Sequence, residues 1–349
     1  MMKNLLCLSL ASALIAVSCG TAPRNTTPDG LLVRAEDPAA TFDPSAVAAF
    51  KAAADADSIE VHSVMVMHHG QVVAEQWWGE GAPETPHIMN SVSKSFTATA
   101  VGFAIAEGLI SLDDKVVSFF PEKVPAEASP NLGVMTIRNL LTMSTGQVGE
   151  PQRRGQQDWI AAFMNAPVDD APGATFRYNS MATFMLSAIV QKVSGQKITE
   201  YLRSRLFEPL AIDGYRWDES PDGINAGGWG LYIKTEDMAK FGQLFLQDGV
   251  WNGVRVLPEG WVAEASKSWI ESGPAGNEHN RAPDNEWSQG YGYQMWRCTP
   301  AGVYRADGAR GQFIFIIPDR DAVIAVTSNT NNMPGEIALV WKHLLPGLK

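Results

Sequence analysis

The sequence predicts an α+β fold in which strands from both ends of the mature chain form one antiparallel sheet, with a mostly helical lobe inserted between them. Strand-like apolar segments occur at 62–77 and again at 302–328. Between them, apolar residues recur at helical spacing, and Gly, Pro and Asn separate the segments. We therefore assign a sheet lobe with flanking helices to about 43–90 and 290–349, and a helical lobe to about 91–289.

Each element is predicted from local periodicity and from the residues that begin or end it. Thr136 and Thr235 stand where helix N-caps are expected, and Gly195 stands where a helix ends. The polar stretches 147–158 and 271–290 are predicted loops. In chain order, we expect a helix at 43–54, strands at 62–67 and 71–77, helices at 91–107, 137–143, 159–164, 181–193, 198–206, 237–246 and 258–265, strands at 302–305, 312–317 and 322–328, and a closing helix at 336–345.

The N-terminus is typical of an export signal. A lysine precedes the apolar run Leu5–Val17, which is too short to span a bilayer. The run ends at Ala-Val-Ser-Cys19, which matches the lipobox of bacterial lipoproteins, while a plain signal peptide cut after a small residue is the alternative. We predict a signal peptide at 1–18, a lipid on Cys19 and a linker at 19–42 whose Gly-, Pro- and Thr-rich start is flexible. The protein is then expected on the periplasmic face of a bacterial membrane, inner or outer.

Composition limits the partners of the mature chain. The formal charge of −11 and the isoelectric point near 5 argue against nucleic acid as a partner. Apolar residues make up 45% of the chain and 11 tryptophans are present, which indicates a substantial core. Cys7 leaves with the signal and Cys19 carries lipid, so Cys298 is left without a disulfide partner and is expected to be a buried apolar residue. The sequence leaves the oligomeric state open.

Ser91 and Lys94 are candidates for a catalytic nucleophile and its base. They are three residues apart at the start of an apolar helical run, so their side chains are expected on one face of the helix. A lysine amine whose pKa is lowered can take the proton of a serine hydroxyl and make it a nucleophile. The same spacing also fits a helix N-cap followed by an exposed lysine in the first turn.

Two further stretches complete a recognisable set of motifs. These are Tyr178-Asn179-Ser180, after a Pro-Gly turn, and Ala306–Gln312 (ADGARGQ), which leads into a strand. With Ser91–Lys94 (SVSK), they resemble the three motifs of the serine β-lactamase and penicillin-binding-protein superfamily. The closer resemblance is to class C β-lactamases and their esterase and 6-aminohexanoate-dimer hydrolase relatives. It extends over about Asp43–Leu345 through further similar stretches, which are ISLDDKV at 110–116, TIRNLLT at 136–142, FEPL at 207–210 and GQF at 311–313.

The resemblance implies a role for each motif residue. Ser91 would attack an ester or amide carbonyl and form an acyl-enzyme. Tyr178 would be the general base, with Lys94 either favouring tyrosinate as an ammonium or taking the proton itself as an amine. The backbone N–H groups of Ser91 and Ala309, the residue after Gly308, would form the oxyanion hole. No metal or organic cofactor is implied, and the expected substrate is a small ester or amide.

The chain departs from the family pattern at two motifs. Ser180 replaces the common asparagine of the second motif, and its hydroxyl is expected to hold Lys94 or a substrate amide less firmly. The third motif has Ala306 and Asp307 before the glycine, where relatives carry Lys-Thr or a histidine. The cation that would pair with a substrate carboxylate is thus missing, unless Arg305 or Arg310 replaces it.

These departures leave three functions in competition. The first is a hydrolase of small esters or amides, and the second is a β-lactamase, D,D-peptidase or D-aminopeptidase acting on the cell wall. The third is a catalytically weak scaffold that binds muropeptides or a protein partner. An α/β-hydrolase is excluded by the missing G-x-S-x-G, and no H-E-x-x-H or cysteine pair at ligand spacing supports a metal. Trp77, Trp78 and Trp229 are candidates for the wall of a cleft, although core positions are the simpler interpretation.

Overall fold

Strands from both ends of the chain form the main sheet of the part described by the computed structural model, residues 24–273 and 285–349. Within these residues the sheet has the order β2-β1-β11-β10-β9-β8, and neighbouring strands are antiparallel. A small sheet, β3-β5-β4, and a hairpin, β6-β7, lie outside it. The strands are β1 Val61–His68, β2 Gln71–Trp77, β3 His87–Ile88, β4 Arg216–Trp217, β5 Leu231–Ile233, β6 Val250–Trp251, β7 Val254–Arg255, β8 Trp296–Arg297, β9 Tyr304–Gly308, β10 Gln312–Ile317 and β11 Ala322–Ser328.

Helices fill most of the chain between β3 and β8. The α-helices are α1 Ala46–Ala56, α2 Ser93–Ala106, α3 Val116–Phe119, α4 Pro130–Val134, α5 Ile137–Leu141, α6 Trp159–Met164, α7 Ser180–Ser194, α8 Ile198–Leu202, α9 Thr235–Leu246, α10 Trp261–Ser266 and α11 Met333–Leu339. Turns of 3₁₀ helix lie at Asn90–Val92 and at Pro318–Arg320, and turns of π-helix follow α8 and α11. The α+β class with both ends in one sheet is therefore confirmed.

The main sheet is buried on both faces. Successive side chains of a strand point to opposite faces, so each strand contributes to two cores. On β1, Met65 and Met67 join the core shared with α2, α7 and α9, whereas Val64 and Val66 join a second core with α1 and α11. The nearly continuous apolar strands of the sequence follow from this double coverage.

One helix that the sequence assigns to the helical lobe packs on the main sheet instead. Helix α9 packs against β1, β10 and β11 of the main sheet, so it belongs to the sheet lobe. Thr235 is not the N-cap of α9 but its first residue; the Asp237 carboxylate accepts the Lys234 N–H at 3.2 Å and closes the helix start. In a capping box, the side chain of the third helical residue reaches back to the backbone N–H of the residue before the helix. Asp237 does so here, and the helix therefore begins at Thr235 with Lys234 as its N-cap.

The third motif also differs from its predicted placement. We expected a strand at 302–305, but β9 begins at Tyr304 and continues through Gly308, so Asp307 pairs with Phe313 across the β9–β10 hairpin. The two-residue strand β8 was not predicted, because two residues carry no measurable periodicity. The closing helix α11 begins three residues before its predicted start, since Asn332 caps it by accepting the Gly335 N–H.

Residues 24–42 are not the flexible linker that their composition predicts. Leu32 and Phe42 are buried, and the segment forms isolated bridges with β2 and with Leu348. Hydrogen bonds to other parts of the chain hold this segment in place although its composition is typical of turns. The predicted signal peptide and Cys19 lie outside the described residues, as does part of the loop 271–290. Among the described helices, none combines the length and apolar character that a transmembrane helix requires.

Candidate active site

Ser91 and Lys94 are brought together at the start of α2. Ser91 lies in the 3₁₀ turn Asn90–Val92 and Lys94 in the first turn of the α-helix that follows, and the Lys94 Nζ is 2.9 Å from the Ser91 Oγ. The alternative of an N-cap with an exposed lysine is wrong, because Lys94 is only 1% exposed. The Ser93 hydroxyl, not that of Ser91, donates to the backbone, at 2.6 Å from the Asn90 carbonyl.

The backbone around Ser91 is fixed by neighbouring strands. Asn90 has a φ of +45°, which is uncommon for a residue other than glycine and turns the chain sharply before Ser91. The Asn90 side-chain amide donates to the Ala309 carbonyl at 2.7 Å. The Met89 N–H donates to the carbonyl of Leu231 in β5 at 2.8 Å. The nucleophile candidate is thus held by two segments that are distant in sequence.

Among the residues that the structure describes, Lys94 has oxygen partners but no carboxylate within salt-bridge distance. Its Nζ donates to the Gly228 carbonyl at 2.6 Å and to the Ser180 Oγ at 3.3 Å, besides Ser91. Burial, helped by the charge of Arg153 and opposed by the charges of Glu150 and Asp307, lowers the pKa of Lys94 to about 7. A large share of the Lys94 side chains is therefore neutral amine near pH 7, the form that can accept the serine proton.

Tyr178 lies beside both Ser91 and Lys94. Its ring is 4.9 Å from the Lys94 Nζ and stacks on Trp296 with ring centroids 5.8 Å apart. Burial raises the pKa of Tyr178 above its usual value, and a hydrogen bond with Ser91 only partly offsets this effect. Tyr178 is therefore a neutral phenol at neutral pH, a form that donates a proton more readily than it accepts one.

The second motif forms the N-terminus of α7. The Asn179 side chain caps this helix by accepting the N–H groups of Met181 and Ala182 at 3.0 and 3.2 Å. Asn179 thus has a structural role, and Ser180 directs its hydroxyl to Lys94. The 3.3 Å distance is long for a hydrogen bond between an amine and a hydroxyl. That serine holds the lysine less firmly than asparagine would stays a prediction.

The third motif passes directly alongside Ser91. A Cβ built on Gly308 would lie 2.3 Å from the Met89 carbonyl oxygen and 3.2 Å from the Ser91 nitrogen, so only glycine fits at this position. Ala309 follows in the exposed turn, where Asn90 binds its carbonyl. The structure therefore places Gly308 and Ala309 next to the turn that carries Ser91. Their role in stabilising an oxyanion stays a prediction.

Asp307 and Arg305 neutralise each other away from solvent. Both are buried, and the Arg305 guanidinium lies 2.9 Å from the Asp307 carboxylate and 3.4 Å from that of Glu286. Arg305 is therefore engaged and does not replace the missing cation. Arg310, the other candidate, stands in the exposed turn with a left-handed backbone.

Sequence reasoning missed Glu150, Arg153 and the Gly228 carbonyl. The Glu150 carboxylate accepts the Ser180 N–H at 3.2 Å and pairs with Arg153 at 2.9 Å. The Arg153 guanidinium lies 4.2 Å from the centre of the Trp229 ring, next to Gly228. The only sequence signal was the polar loop 147–158 itself, whose approach to the site depends on the tertiary fold.

The predicted tryptophans separate into two groups. Trp229 lies beside the site, where Arg153 covers it. Trp77 and Trp78 lie at the end of β2, at the opposite edge of the main sheet from β9, so they do not line the site. Cys298 is buried with a free thiol, as predicted, and accepts a hydrogen bond from Arg305 at 3.4 Å.

Together these groups can transfer an acyl group. The arrangement has a serine hydroxyl, a buried amine within hydrogen-bond distance, a neutral phenol and a glycine-lined backbone turn, which are the parts that nucleophilic acyl transfer requires. Among residues 24–273 and 285–349, no group of three His, Cys, Asp or Glu side chains is placed to hold a metal ion.

Comparisons with known proteins agree with this geometry. The Beta-lactamase family profile matches residues 47–345. The 6-aminohexanoate-dimer hydrolase of Paenarthrobacter ureafaciens is 27% identical over 309 residues, covering 81% of this chain and 76% of that protein. A penicillin-binding protein homologue from Caulobacter crescentus has a similar structure, with a TM-score of 0.69 at 17% identity, covering 88% of this chain and 97% of that one.

A further solved structure is that of EstCE1, described as a hydrolase with promiscuous acyltransferase activity. Its TM-score is 0.68 at 18% identity, covering 86% of this chain and 99% of that one. The profile match spans most of the chain, so the protein belongs to the β-lactamase/transpeptidase-like superfamily of serine hydrolases.

Proposed function

We propose that the protein hydrolyses a small ester or amide through an acyl-enzyme on Ser91. The observation that carries this proposal is the 2.9 Å contact between the Ser91 hydroxyl and a buried Lys94 amine whose pKa is about 7. Lys94 is the base: it takes the hydroxyl proton as Ser91 attacks the carbonyl carbon, and the negative charge develops on the carbonyl oxygen. The N–H groups of Ser91 and Ala309 stabilise that charge.

Tyr178 acts as the acid in this proposal. When the tetrahedral intermediate collapses, the bond to the leaving group breaks and the Tyr178 hydroxyl protonates the departing oxygen or nitrogen. The Lys94 ammonium returns a proton to Tyr178. In deacylation, Lys94 accepts a proton from water as the water attacks the ester carbonyl carbon. The bond to the Ser91 Oγ then breaks, and the Lys94 ammonium returns the proton to that oxygen.

The charges on β9 at the third motif support neutral substrates over anionic ones, and Arg310 in the exposed turn is the remaining candidate cation. Ala306 has no charge, Asp307 is negative and Arg305 is bound to Asp307 and Glu286. A β-lactam or a D-Ala-D-Ala peptide would bring a carboxylate to this edge without a free partner on β9, and burial of an unpaired charge is costly. We therefore rank a β-lactamase or D,D-peptidase below an esterase or amidase.

Hydrolysis of p-nitrophenyl butyrate by the fragment that begins after Cys19 tests this function. We expect turnover that falls to background in Ser91→Ala, and little hydrolysis of a chromogenic cephalosporin. Cephalosporin turnover that exceeds ester turnover would favour the β-lactamase. Silence with both substrates would favour a binding scaffold, and equal ester hydrolysis by the variant would show that Ser91 is not the nucleophile.

We also propose that Cys19 carries the lipid of a bacterial lipoprotein and that the enzyme works on the periplasmic face of a membrane. The lipobox-like Ala-Val-Ser-Cys at the end of a short apolar run supports this. Phase separation in a non-ionic detergent tests it: the full chain is expected in the detergent phase and Cys19→Ser in the aqueous phase.

A further inference from the structure

The first described residues are fastened to one place on the domain. The Asn25 side-chain amide exchanges two hydrogen bonds with the amide of Gln247, at 2.7 and 3.0 Å. The Asn25 backbone N–H donates to the Asn252 side chain at 2.7 Å, and the Asn252 amide donates to the Thr26 hydroxyl at 3.0 Å. The chain therefore enters the fold beside the β6–β7 hairpin.

Contacts further along keep this segment in place. The Leu32 side chain is fully buried, and its N–H donates to the Glu236 carboxylate. Arg34 lies between two acids, with its guanidinium 2.8 Å from Glu75 and 2.9 Å from Glu236. Residues 25–34 are thus held to the domain by hydrogen bonds and burial.

The stretch of sequence between Cys19 and the held segment is short. Four residues separate Cys19 from Arg24. Five steps along even a fully extended chain span about 18 Å. A lipid attached to Cys19 would insert in the bilayer and keep Cys19 at the membrane interface. The hairpin surface at Asn252 would then lie within about 18 Å of that interface.

The surface around this entry point presents apolar groups to solvent. Val254, in the hairpin, is 65% exposed, which is the highest value among the large apolar side chains of the described residues. Leu31, in the N-terminal segment, is 43% exposed. A groove of about 370 Å³ beside Val254 is lined by Trp251 and by two arginines, Arg205 and Arg255, whose acidic partners are Glu107 and Asp248.

We propose that the short anchor holds this face, formed by residues 25–31 and the hairpin 250–255, against the phospholipid bilayer. The proposal rests on the proposed lipidation of Cys19. The exposed apolar side chains would enter the headgroup region, and the arginines of the groove would lie at the depth of the lipid phosphates, where such side chains are stabilised. The opposite faces of the domain would then point into the aqueous compartment.

Site-specific quenching tests this orientation. The full lipidated chain carrying Val254→Cys is labelled with a fluorophore and reconstituted into vesicles of neutral and anionic phospholipid with a headgroup nitroxide. Val134→Cys, on α4, is the matched control because that valine is 52% exposed. Cys298 stays unlabelled because it is buried and its pKa is raised to about 11. We expect quenching at 254 to be several-fold stronger than at 134.

Two outcomes would overturn the proposal in distinguishable ways. If the wild-type chain partitions into the aqueous phase just as the Cys19→Ser variant does, Cys19 is not lipidated and the proposed orientation is wrong as well. If the chain is in the vesicles but both positions are quenched equally, the orientation alone is wrong. A 20-residue Gly-Ser insertion after Gly20 should bring quenching at 254 down to the level at 134; an unchanged difference would contradict the short anchor as its cause.

Discussion

Lys94 holds a primary amine where water has little access. Burial favours the neutral form of a lysine, and the three oxygens around its Nζ can receive hydrogen bonds from either form. A site of this kind keeps a base available near neutral pH without a histidine. The protonation of Lys94 should therefore control the rate.

The rate is expected to depend on pH through Lys94. Because the free amine is required, kcat/KM for p-nitrophenyl butyrate should fall below a midpoint near pH 7. The Glu150 charge raises the pKa of Lys94 and Arg153 lowers it, so Glu150→Gln should move the midpoint down and Arg153→Gln should move it up. Both residues lie in one loop and form one ion pair, so they are matched variants. Identical midpoints in all three proteins would contradict Lys94 as the base.

For single residues, the spacing in the sequence predicted the contact between Ser91 and Lys94 but not which other side chains surround it. Ser91 and Lys94 are separated by one helical turn, which can be deduced from sequence. Glu150, in a loop, and Trp296, in the short strand β8, contact the same site from positions that depend on long-range packing. The burial of Tyr178, which raises its pKa, could not be known from the sequence either, and the role of Tyr178 as base or acid stays a prediction.

The β9–β10 hairpin is the element that completes the site. Gly308 lets the hairpin approach the turn at Asn90–Val92, and the Gln312 side chain fixes the turn by donating to the carbonyls of Arg310 and Ser328 at 3.1 and 2.7 Å. The motif residues were recognised in the sequence, but the strand was placed two residues early because its polar end does not continue the apolar pattern.

Gly308→Ala should displace this hairpin. The added Cβ would clash with the Met89 carbonyl oxygen at 2.3 Å, which is backbone and cannot rotate away. Loss of one oxyanion donor lowers kcat by about 10²–10³-fold in comparable sites, and we expect a fall of that order in ester hydrolysis. Gly133→Ala is the control, since nothing lies within 4 Å of its added Cβ. Unchanged kcat in Gly308→Ala would exclude the hairpin from catalysis.

Glu336 of α11 lies beneath the same hairpin. It is fully buried, and one carboxyl oxygen binds the Ser328 hydroxyl while the other has no hydrogen-bond partner in the described structure. A Cβ on Gly311 would be 2.0 Å from that second oxygen. Burial raises the pKa of Glu336 to about 8, and the nearby charge of Asp307 adds to this effect.

Glu336 should therefore make stability fall as the pH rises. The folded protein keeps this carboxyl protonated up to about pH 8, whereas an unfolded glutamate loses its proton near pH 4.5. The native state binds more protons between these values, so stability decreases across that range. Glu336→Gln should remove this part of the dependence, so that its Tm falls less than the wild-type Tm between pH 6 and pH 9. Parallel Tm curves would contradict the assignment.

At the scale of the whole molecule, the main sheet has a core on each face and an N-terminal segment that closes one edge. Strands and helices with clear periodicity were predicted, including β2, β10, β11 and α6 with their observed bounds. The packing of residues 24–42 was not predicted from the sequence. Gly, Pro and Thr indicate a segment rich in turns, but they do not show whether hydrogen bonds to the rest of the domain hold that segment.

Removal of residues 24–42 should destabilise the whole domain. Leu32 and Phe42 are buried, and full burial of such a side chain contributes about 1.5–3 kcal/mol. A fragment that begins at residue 43 should therefore lose roughly 3–6 kcal/mol of unfolding free energy in urea, relative to one that begins at residue 24. The fragment that begins after Cys19 is the control and should match the latter. Equal midpoints for all three fragments would show that the segment does not contribute to stability.

Trapping of the acyl-enzyme tests the central claim most directly. The fragment that begins after Cys19 is mixed with p-nitrophenyl butyrate, quenched with acid within the first turnovers and measured by intact mass and peptide mapping. We predict one butyryl group on Ser91, and none on Ser91→Ala. A butyryl group on another residue, or the same adduct on the Ser91→Ala variant, would contradict the account.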